Sequence, residues 1–484
     1  MVNPLPHPSF REAFWVWCRV AALSFGGPTA QIAVMHRVLV EEKKWISEHR
    51  FLHALNYCML LPGPEAQQLA VYIGWLLHGT RGGLVAGTLF ILPGFVAIML
   101  LSILYVYAQS GAHQLVAISV AAILFGMKPA VAAIVAEAVL RIGRKVLKNR
   151  VMIVVAVLAF VAIFCFELPF PLIIAGAGAT GLIGGHFWPH VFEVIHGADH
   201  GNDACLRAVD VAAVTRNVSL LRTLEVLAIW LTLWFAPLLF LGWYFGGDSV
   251  FVQEGFFFSK AAMVTFGGAY SVLAYIGQQA VGKYAWLKPH EMMDGLSMAE
   301  TTPGPLIMVV QFVGFMGAYR NPGDLPPLAA GVLGAVITVW VTFVPCFLWI
   351  FLGAPYIEKL HGRRLLNSAL STITAAVVGV VLNLAIWFMI HTLFTDVWEH
   401  HEMLLGFARL WEGPPTPGTT QIGAPSPFAL SFRWFEPQFS SLSKGSLVIL
   451  LFAATLTFRF KRGLFAVLGF SVLFGVLLYA AGVR

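Results

Sequence analysis

The sequence predicts an all-α polytopic membrane protein: two homologous six-span halves in inverted topology, joined by one extra span, with broken helices at the midplane. Three observations predict it. Of the 484 residues, 58% are apolar and only 11% are Asp, Glu, Lys or Arg, whereas soluble domains carry about 25% charged residues. Apolar stretches long enough to cross hydrocarbon recur in a pattern of six, one and six. Residues of the first set return in the second at a constant spacing of 241. A mean hydropathy of +0.79 and 39 Phe exclude a soluble α/β enzyme, a disordered chain and a secreted disulfide scaffold.

The N-terminal MVNPLPHPSFREAFW has no short apolar core followed by a small-residue cleavage site, so the first span is expected to begin near Phe14 and to be retained. Candidate spans are 14–40, 51–79, 82–108, 114–137, 151–167 and 170–187, then 223–246, then 255–282, 291–319, 326–353, 366–395, 446–460 and 463–482. The first two of each set read equally as re-entrant hairpins. The division expected from this is a first repeat over 1–187, a cytoplasmic linker over 188–222, a connecting helix over 223–246, and a second repeat over 247–484 with an extracytoplasmic loop at 396–445. Cys18, Cys58, Cys165, Cys205 and Cys346 are scattered without metal-type spacing and read as packing residues. The formal charge of +6 reflects basic loops and not a nucleic-acid partner.

The repeat is an internal duplication. Phe25-Gly26-Gly27 returns as Phe266-Gly267-Gly268, Trp45 as Trp286, and Pro62-Gly63-Pro64 as Pro303-Gly304-Pro305, each pair 241 residues apart. Parity then orients the halves. Six spans return the chain to its starting side, one more crosses, and the second half starts from the opposite face. With the N-terminus in the cytoplasm of an inner membrane, Arg141, Arg144, Lys145, Lys148, Arg150, Lys359, Arg363, Arg364, Arg459, Lys461 and Arg462 all fall inside.

Pro-Gly-Pro breaks a helix, because proline removes a donor and clashes with the preceding turn. A new helix can start with Pro28, Pro64 or Pro305 in its first turn. In lipid such breaks are tolerated only where they are buried or line a wet cavity, and matched breaks in inverted halves point to a midplane site. The alternative is that they are packing kinks. Each helix N-terminus carries roughly +0.5 of an elementary charge, so four converging ends supply about +2 together with backbone donors, which suits a small dianion. The expected binding set is Gly26, Gly27, Pro28, Thr29, Gln31, Pro62, Gly63, Pro64, Glu65, Gln67, Gln68, Lys128, Gly267, Gly268, Pro303, Gly304 and Pro305. Ser271, Gln278, Gln279, Thr301, Thr302 and Gln311 are further hydrogen-bonding candidates.

Lys128 is expected as a fixed intramembrane charge, or alternatively as a snorkelling lysine that neutralises Glu137. Arg19, His36 and Arg37 are further proposed helpers, of which His36 and Arg37 lie closer to a membrane edge, where snorkelling is the alternative account. Glu65 at the mouth of an anion site repels the ligand unless protonated, which makes it the proton-coupling candidate, with Glu300 behind it. The alternative for Glu65 is a fixed salt bridge to a cation such as Lys128. His186, His190, His196 and His200, with Asp199 and Asp203, offer i, i+4 pairs, but Pro189 and Gly197 interrupt the helical period. They read as a solvated linker, so no metal and no cofactor is expected.

These motifs resemble a known family. FGGPTAQIAVMHR, Trp45, LPGPEAQQLAVYIGW and ILPGF are similar to the first half of the chromate ion transporters (the CHR family). TFGGAYSVLAYIGQQAV, Trp286, TTPGPLIMVVQFVGF and ITAAVVGVVLNL are similar to their second half. The chain resembles the long, two-domain members. The resemblance implies an inner-membrane carrier that exports chromate under the proton-motive force and confers chromate resistance, with no enzymatic activity. Sulfate or another oxyanion is the alternative cargo, and a homodimer the protein partnership considered. An intramembrane metal-dependent enzyme or sensor is the alternative of another class. Ala269 stands where a second FGGP would carry proline.

Overall fold

A computed structural model of the chain describes residues 8–111, 113–192, 220–266, 268–354, 364–405 and 430–483. Among these, six helices are long and apolar enough to cross a membrane, and three shorter apolar helices accompany them. The chain is therefore a helical, multi-pass membrane protein.

The first half begins with α1 (Phe10–Leu23), whose N-cap Ser9 accepts from the Glu12 amide. It continues through α2 (Gly27–His36), α3 (Glu48–Leu60), α4 (Glu65–Gln109), α5 (Gln114–Val146), α6 (Arg150–Phe164), α7 (Phe170–Phe187) and the short α8 (Pro189–Phe192). The helix α9 (Leu220–Phe245) leads into α10 (Val250–Met263), α11 (Ala269–Gln278), α12 (Pro289–Thr301), α13 (Val309–Arg320), α14 (Pro327–Gly353), α15 (Arg364–Leu393), α16 (Lys444–Ala454) and α17 (Leu464–Ala480).

The duplication persists in the backbone. Both α2 and α11 run on into a π-helical turn, Arg37–Glu42 and Gln279–Lys283. Lys44 and Ala285 then take the same left-handed conformation, at φ 54° and 50°. Trp45 and Trp286 are both buried beyond it. In each half the last turn of the first helix is closed by a hydroxyl donating four residues back: Ser24 to the Val20 carbonyl at 2.7 Å, and Thr265 to the Ala261 carbonyl at 2.6 Å.

α4 is a tight helical hairpin. His78 and Gly79 leave helical geometry, with Gly79 at φ 61°. The two arms then pack so closely that a Cβ on Gly83 would lie 3.0 Å from the Val71 carbonyl oxygen. The second half makes the same close approach with separate helices: a Cβ on Gly314 of α13 would lie 3.0 Å from the Gly334 carbonyl oxygen of α14. Small residues at such crossings let backbones meet where lipid offers no hydrophobic drive between helices. The halves also interlock. α5 packs against α16 and α17, while α15 packs against α6 and α7.

The helical fold carries one short β-ribbon among the described residues. Within 396–445, β1 (Val397–Leu405) pairs antiparallel with β2 (Leu430–Pro437), in register from Val397 opposite Pro437. Reading the segment only for span-length apolar runs passes over its alternation, in which Phe432, Trp434 and Glu436 flank Arg433 and Phe435. The Arg433 guanidinium is buried, sits 2.8 Å from the Glu167 carboxylate and donates to the Phe164 carbonyl at 3.2 Å. Its backbone amide donates to the Cys165 carbonyl at 2.7 Å. The ribbon is thereby clipped to the turn between α6 and α7. Arg433→Met should strip that turn of its charged partner at a loss of roughly 2 kcal/mol. Limited proteolysis would show it as faster cleavage between 396 and 445, with Arg433→Lys falling between the two.

Candidate functional site

Breaking a helix in a membrane exposes backbone groups that must find partners inside the protein. α1 stops at Leu23 and α2 restarts at Gly27, with Gly26 at φ +81° and Gly27 at φ +80°. α3 stops at Leu60 and α4 restarts at Glu65, with Gly63 at φ +123° between two prolines. In the second half the matched glycines are Gly268 at φ +104° and Gly304 at φ +100°. Only glycine takes these values without strain. Gly267 lies outside the described residues.

The four breaks satisfy one another across the halves. The Gly63 amide donates to the Thr265 carbonyl at 2.8 Å, and the Gly304 amide donates to the Ser24 carbonyl at 2.7 Å. Donors and acceptors are each 241 residues apart, so the two bonds are one interaction written twice. Carbonyls at the negative ends of α1 and α10 are taken up, while the amides that open α2 and α4 keep no partner within their own helices. Gln31 secures the arrangement by donating to the Gly304 carbonyl at 2.6 Å, and Gln68 by donating to the Pro62 carbonyl at 2.7 Å. There is no spare room. A Cβ on Gly63 would lie 2.8 Å from Cys346 Sγ, and one on Gly94 of α4 would lie 2.6 Å from the Pro303 carbonyl oxygen.

Polar side chains collect here with hydrogen-bonding capacity unused. Gln67 is fully buried with both amide atoms unpartnered, and the carbonyl oxygens of Gln31, Gln68 and Gln311 are also without partners. Buried amides are ordinarily satisfied, so this cluster is where a polar ligand or water would be held. Tyr270 of α11 donates to Glu300 of α12 at 2.6 Å, and a Cβ on Gly27 would lie 3.8 Å from the Tyr270 hydroxyl. That contact brings the start of α2 to the second half. Glu65 is half-buried at the first residue of α4, and among the described residues no ion pair involves it.

Other predicted residues are placed elsewhere. Lys128 sits 2.8 Å from Asp294 of α12, while Glu137 pairs with Arg141 at 3.6 Å, so the alternative of a Lys128–Glu137 neutralisation gives way to Asp294. Asp294 stands seven residues before the last residue of α12, roughly 10 Å by helical rise, which keeps Lys128 away from the breaks themselves. Arg19 and Arg37 are held by Glu42 at 2.8 and 3.7 Å, and His36 by Glu41 at 3.1 Å and by Glu48, in an exposed network. Thr29 is exposed. The hydroxyls of Ser271, Thr301 and Thr302 bond carbonyls of their own segments. Among the described residues no group of three His, Cys, Asp or Glu could hold a metal; His196, His200, Asp199 and Asp203 lie outside them.

Sequence reading passed over Asp294, Tyr105, Tyr270 and Glu254. Asp294 lies inside the expected 291–319 span, so the intramembrane-charge argument that marked Lys128 marks it equally. The tyrosines carried no signal beyond their apolar surroundings.

The Gly63→Leu and Gly304→Leu variants should each disrupt the reciprocal bonds, since both need φ near +100° and a space no side chain fits. Even alanine at either position should lower stability by about 1–3 kcal/mol. Thermal unfolding in detergent would measure it, and an unchanged midpoint would mean the breaks relax independently of each other.

A family model described as chromate transporter matches residues 11–182 and 252–477. The chain is 32% identical to a chromate transport protein of Pseudomonas aeruginosa, over 78% of this chain and 80% of that protein. It is 27% identical to the chromate transport protein of Cupriavidus metallidurans, over 78% and 82%. With a probable chromate transport protein of Synechococcus elongatus the identity is 26%, over 78% and 85%. No solved structure matches the chain. The chain belongs to the chromate transporter family.

Proposed function

We propose that the protein is a secondary transporter that exports chromate across the inner membrane, coupled to the proton-motive force, and so confers chromate resistance. The observation that carries the reading is the reciprocal pair Gly63 amide to Thr265 carbonyl and Gly304 amide to Ser24 carbonyl. It gathers helix N-termini and unpartnered glutamines from both halves around one place, the arrangement a tetrahedral dianion needs. Similarity to the chromate transport proteins supports chromate as the cargo. Sulfate shares its charge and shape and is the natural competitor.

In this reading the two halves lie in inverted topology with the N-terminus in the cytoplasm, and the breaks at 24–27, 61–64, 265–268 and 302–305 meet near the midplane. Backbone amides at the starts of α2 and α4 and the amide of Gln67 bind oxyanion oxygens. Glu65 couples the proton. A dianion at the same helix start adds like charge beside it, so a proton loads and leaves with it, and the pair keeps a net negative charge that the inside-negative membrane potential drives outward. Linkage makes the effect mutual: the proton favours the anion as much as the anion favours the proton.

Inside-out vesicles given labelled chromate should accumulate it when the medium is made more acid than the lumen, so that proton and anion enter together, and excess sulfate should compete. Collapse of the gradient should leave only exchange. Glu65→Gln, which mimics the protonated acid, should keep exchange but lose its response to the gradient; gradient-driven accumulation by this variant would move the proton to another group. Orientation has its own test. Single cysteines at Lys148 and Gly418 should react with impermeant reagents from opposite faces, and labelling from one face would reverse the inside–outside assignment.

A further inference from the structure

Lys128 and Asp294 come from different halves, yet they meet at 2.8 Å, with the lysine side chain 24% exposed and the aspartate 4%. Tyr105 of α4 donates to the other carboxylate oxygen at 2.9 Å. A closed crevice, with no room for a water molecule, lies at the pair, lined by Lys128, Val131, Ala132, Met293, Ser297 and Phe388. The ammonium is partly exposed, and the carboxylate is sealed behind it.

We propose that Asp294 is a resident competitor for the transported oxyanion on its way to the breaks: it holds Lys128 while the crevice is closed and yields the ammonium to a dianion that passes when the crevice opens. This rests on the oxyanion-transport reading above. A lone ammonium among apolar helices is costly, so the empty protein needs an internal counterion. A dianion offers Lys128 twice the charge of a carboxylate. The carboxylate is anchored through the oxygen that Tyr105 holds, which leaves the oxygen facing Lys128 free to let go. Nor is the acid a relic of the duplication. The position 241 residues earlier is His53, so the pairing is particular to the second half.

The exchange has a structural consequence. Asp294 ties α12, which ends at the second Pro-Gly-Pro break, to α4 and α5 of the first half. Releasing the tie loosens one half from the other at the moment the anion is bound. The displaced carboxyl, beside a dianion in a dry site, takes up a proton. The charged and titratable groups that face it are Lys128 on α5, Tyr105 on α4, His290 and Glu291 on its own helix, and Arg320 of α13, which is paired to Glu291. α15 contributes the apolar Phe388 to the crevice.

Binding of chromate and of sulfate to the purified full-length protein tests the proposal. If Asp294 occupies Lys128 most of the time, Asp294→Asn should bind chromate roughly tenfold or more tightly, because the competitor is gone. Adding Lys128→Met to Asp294→Asn should abolish that gain. Sulfate affinity should fall as pH rises in the unaltered protein, since binding takes up a proton, and Asp294→Asn should reduce that dependence to the part that Glu65 carries. Unchanged or weaker chromate binding by folded Asp294→Asn would overturn the proposal. So would wild-type transport by the Lys128→Met, Asp294→Asn double variant, which would make the pair a structural staple. Should Asp294→Asn fail to fold, Tyr105→Phe replaces it: loosening the carboxylate should tighten chromate binding several-fold, and no change would overturn the proposal. Wild-type protein that binds neither anion would sink the oxyanion reading itself, whereas wild-type binding with unaltered Asp294→Asn binding would sink only this inference.

Discussion

A backbone amide or carbonyl inside hydrocarbon has no water to turn to, and each unsatisfied group costs several kcal/mol. In this chain helices stop and restart at matched places in both halves, and two of the amides there are met by exchange. The first Pro-Gly-Pro gives its one free amide to the first-helix end of the second half, and the second Pro-Gly-Pro returns the bond. Proline supplies no other donor at these sites, so neither half can close its breaks alone. The remainder of the architecture follows from that. α5 must lie against α16 and α17, and α15 against α6 and α7, for the breaks to reach one another. Glycines at 74, 82, 83, 314 and 334 let the flanking helices approach closely enough to hold them there.

Once the backbone is shared in this way, the side chains of the two halves are free to diverge. Glu254, Glu291, Asp294 and Glu300 are all buried in the second half, while the positions 241 residues earlier are Ala13, Arg50, His53 and Met59. The second half thus holds acids inside its helices where the first holds none of them. Arg320 neutralises Glu291, Tyr270 binds Glu300, and Lys128 of the first half answers Asp294.

Much of this was legible in the sequence, for a physical reason. Glycine and proline act locally: Gly63 and Gly304 announce their breaks wherever the chain folds, and a constant spacing shows that the breaks come in pairs. What was not legible was partnership. Nothing near Lys128 in the sequence distinguishes Asp294 from Glu137 as its counterion, because the choice is made by α5 and α12 crossing. Arg19, His36 and Arg37 looked like anion ligands only until Glu41, Glu42 and Glu48 were seen to claim them. The ribbon of 397–405 and 430–437 escaped because an alternating strand pair carries a far weaker hydropathy signal than a span.

The central claim is that breaks from both halves build one oxyanion site. Crystals grown with chromate and measured at the chromium absorption edge would test it most directly, since the metal's anomalous signal locates the anion without reference to the protein. The account predicts one dominant peak within hydrogen-bonding distance of the amides that open α4 at Glu65–Gln67, in contact also with residues of the second half at 268–270 or 304–306. A dominant peak at the exposed Arg19–Glu42–Arg37 network, or one touching a single half alone, would contradict it.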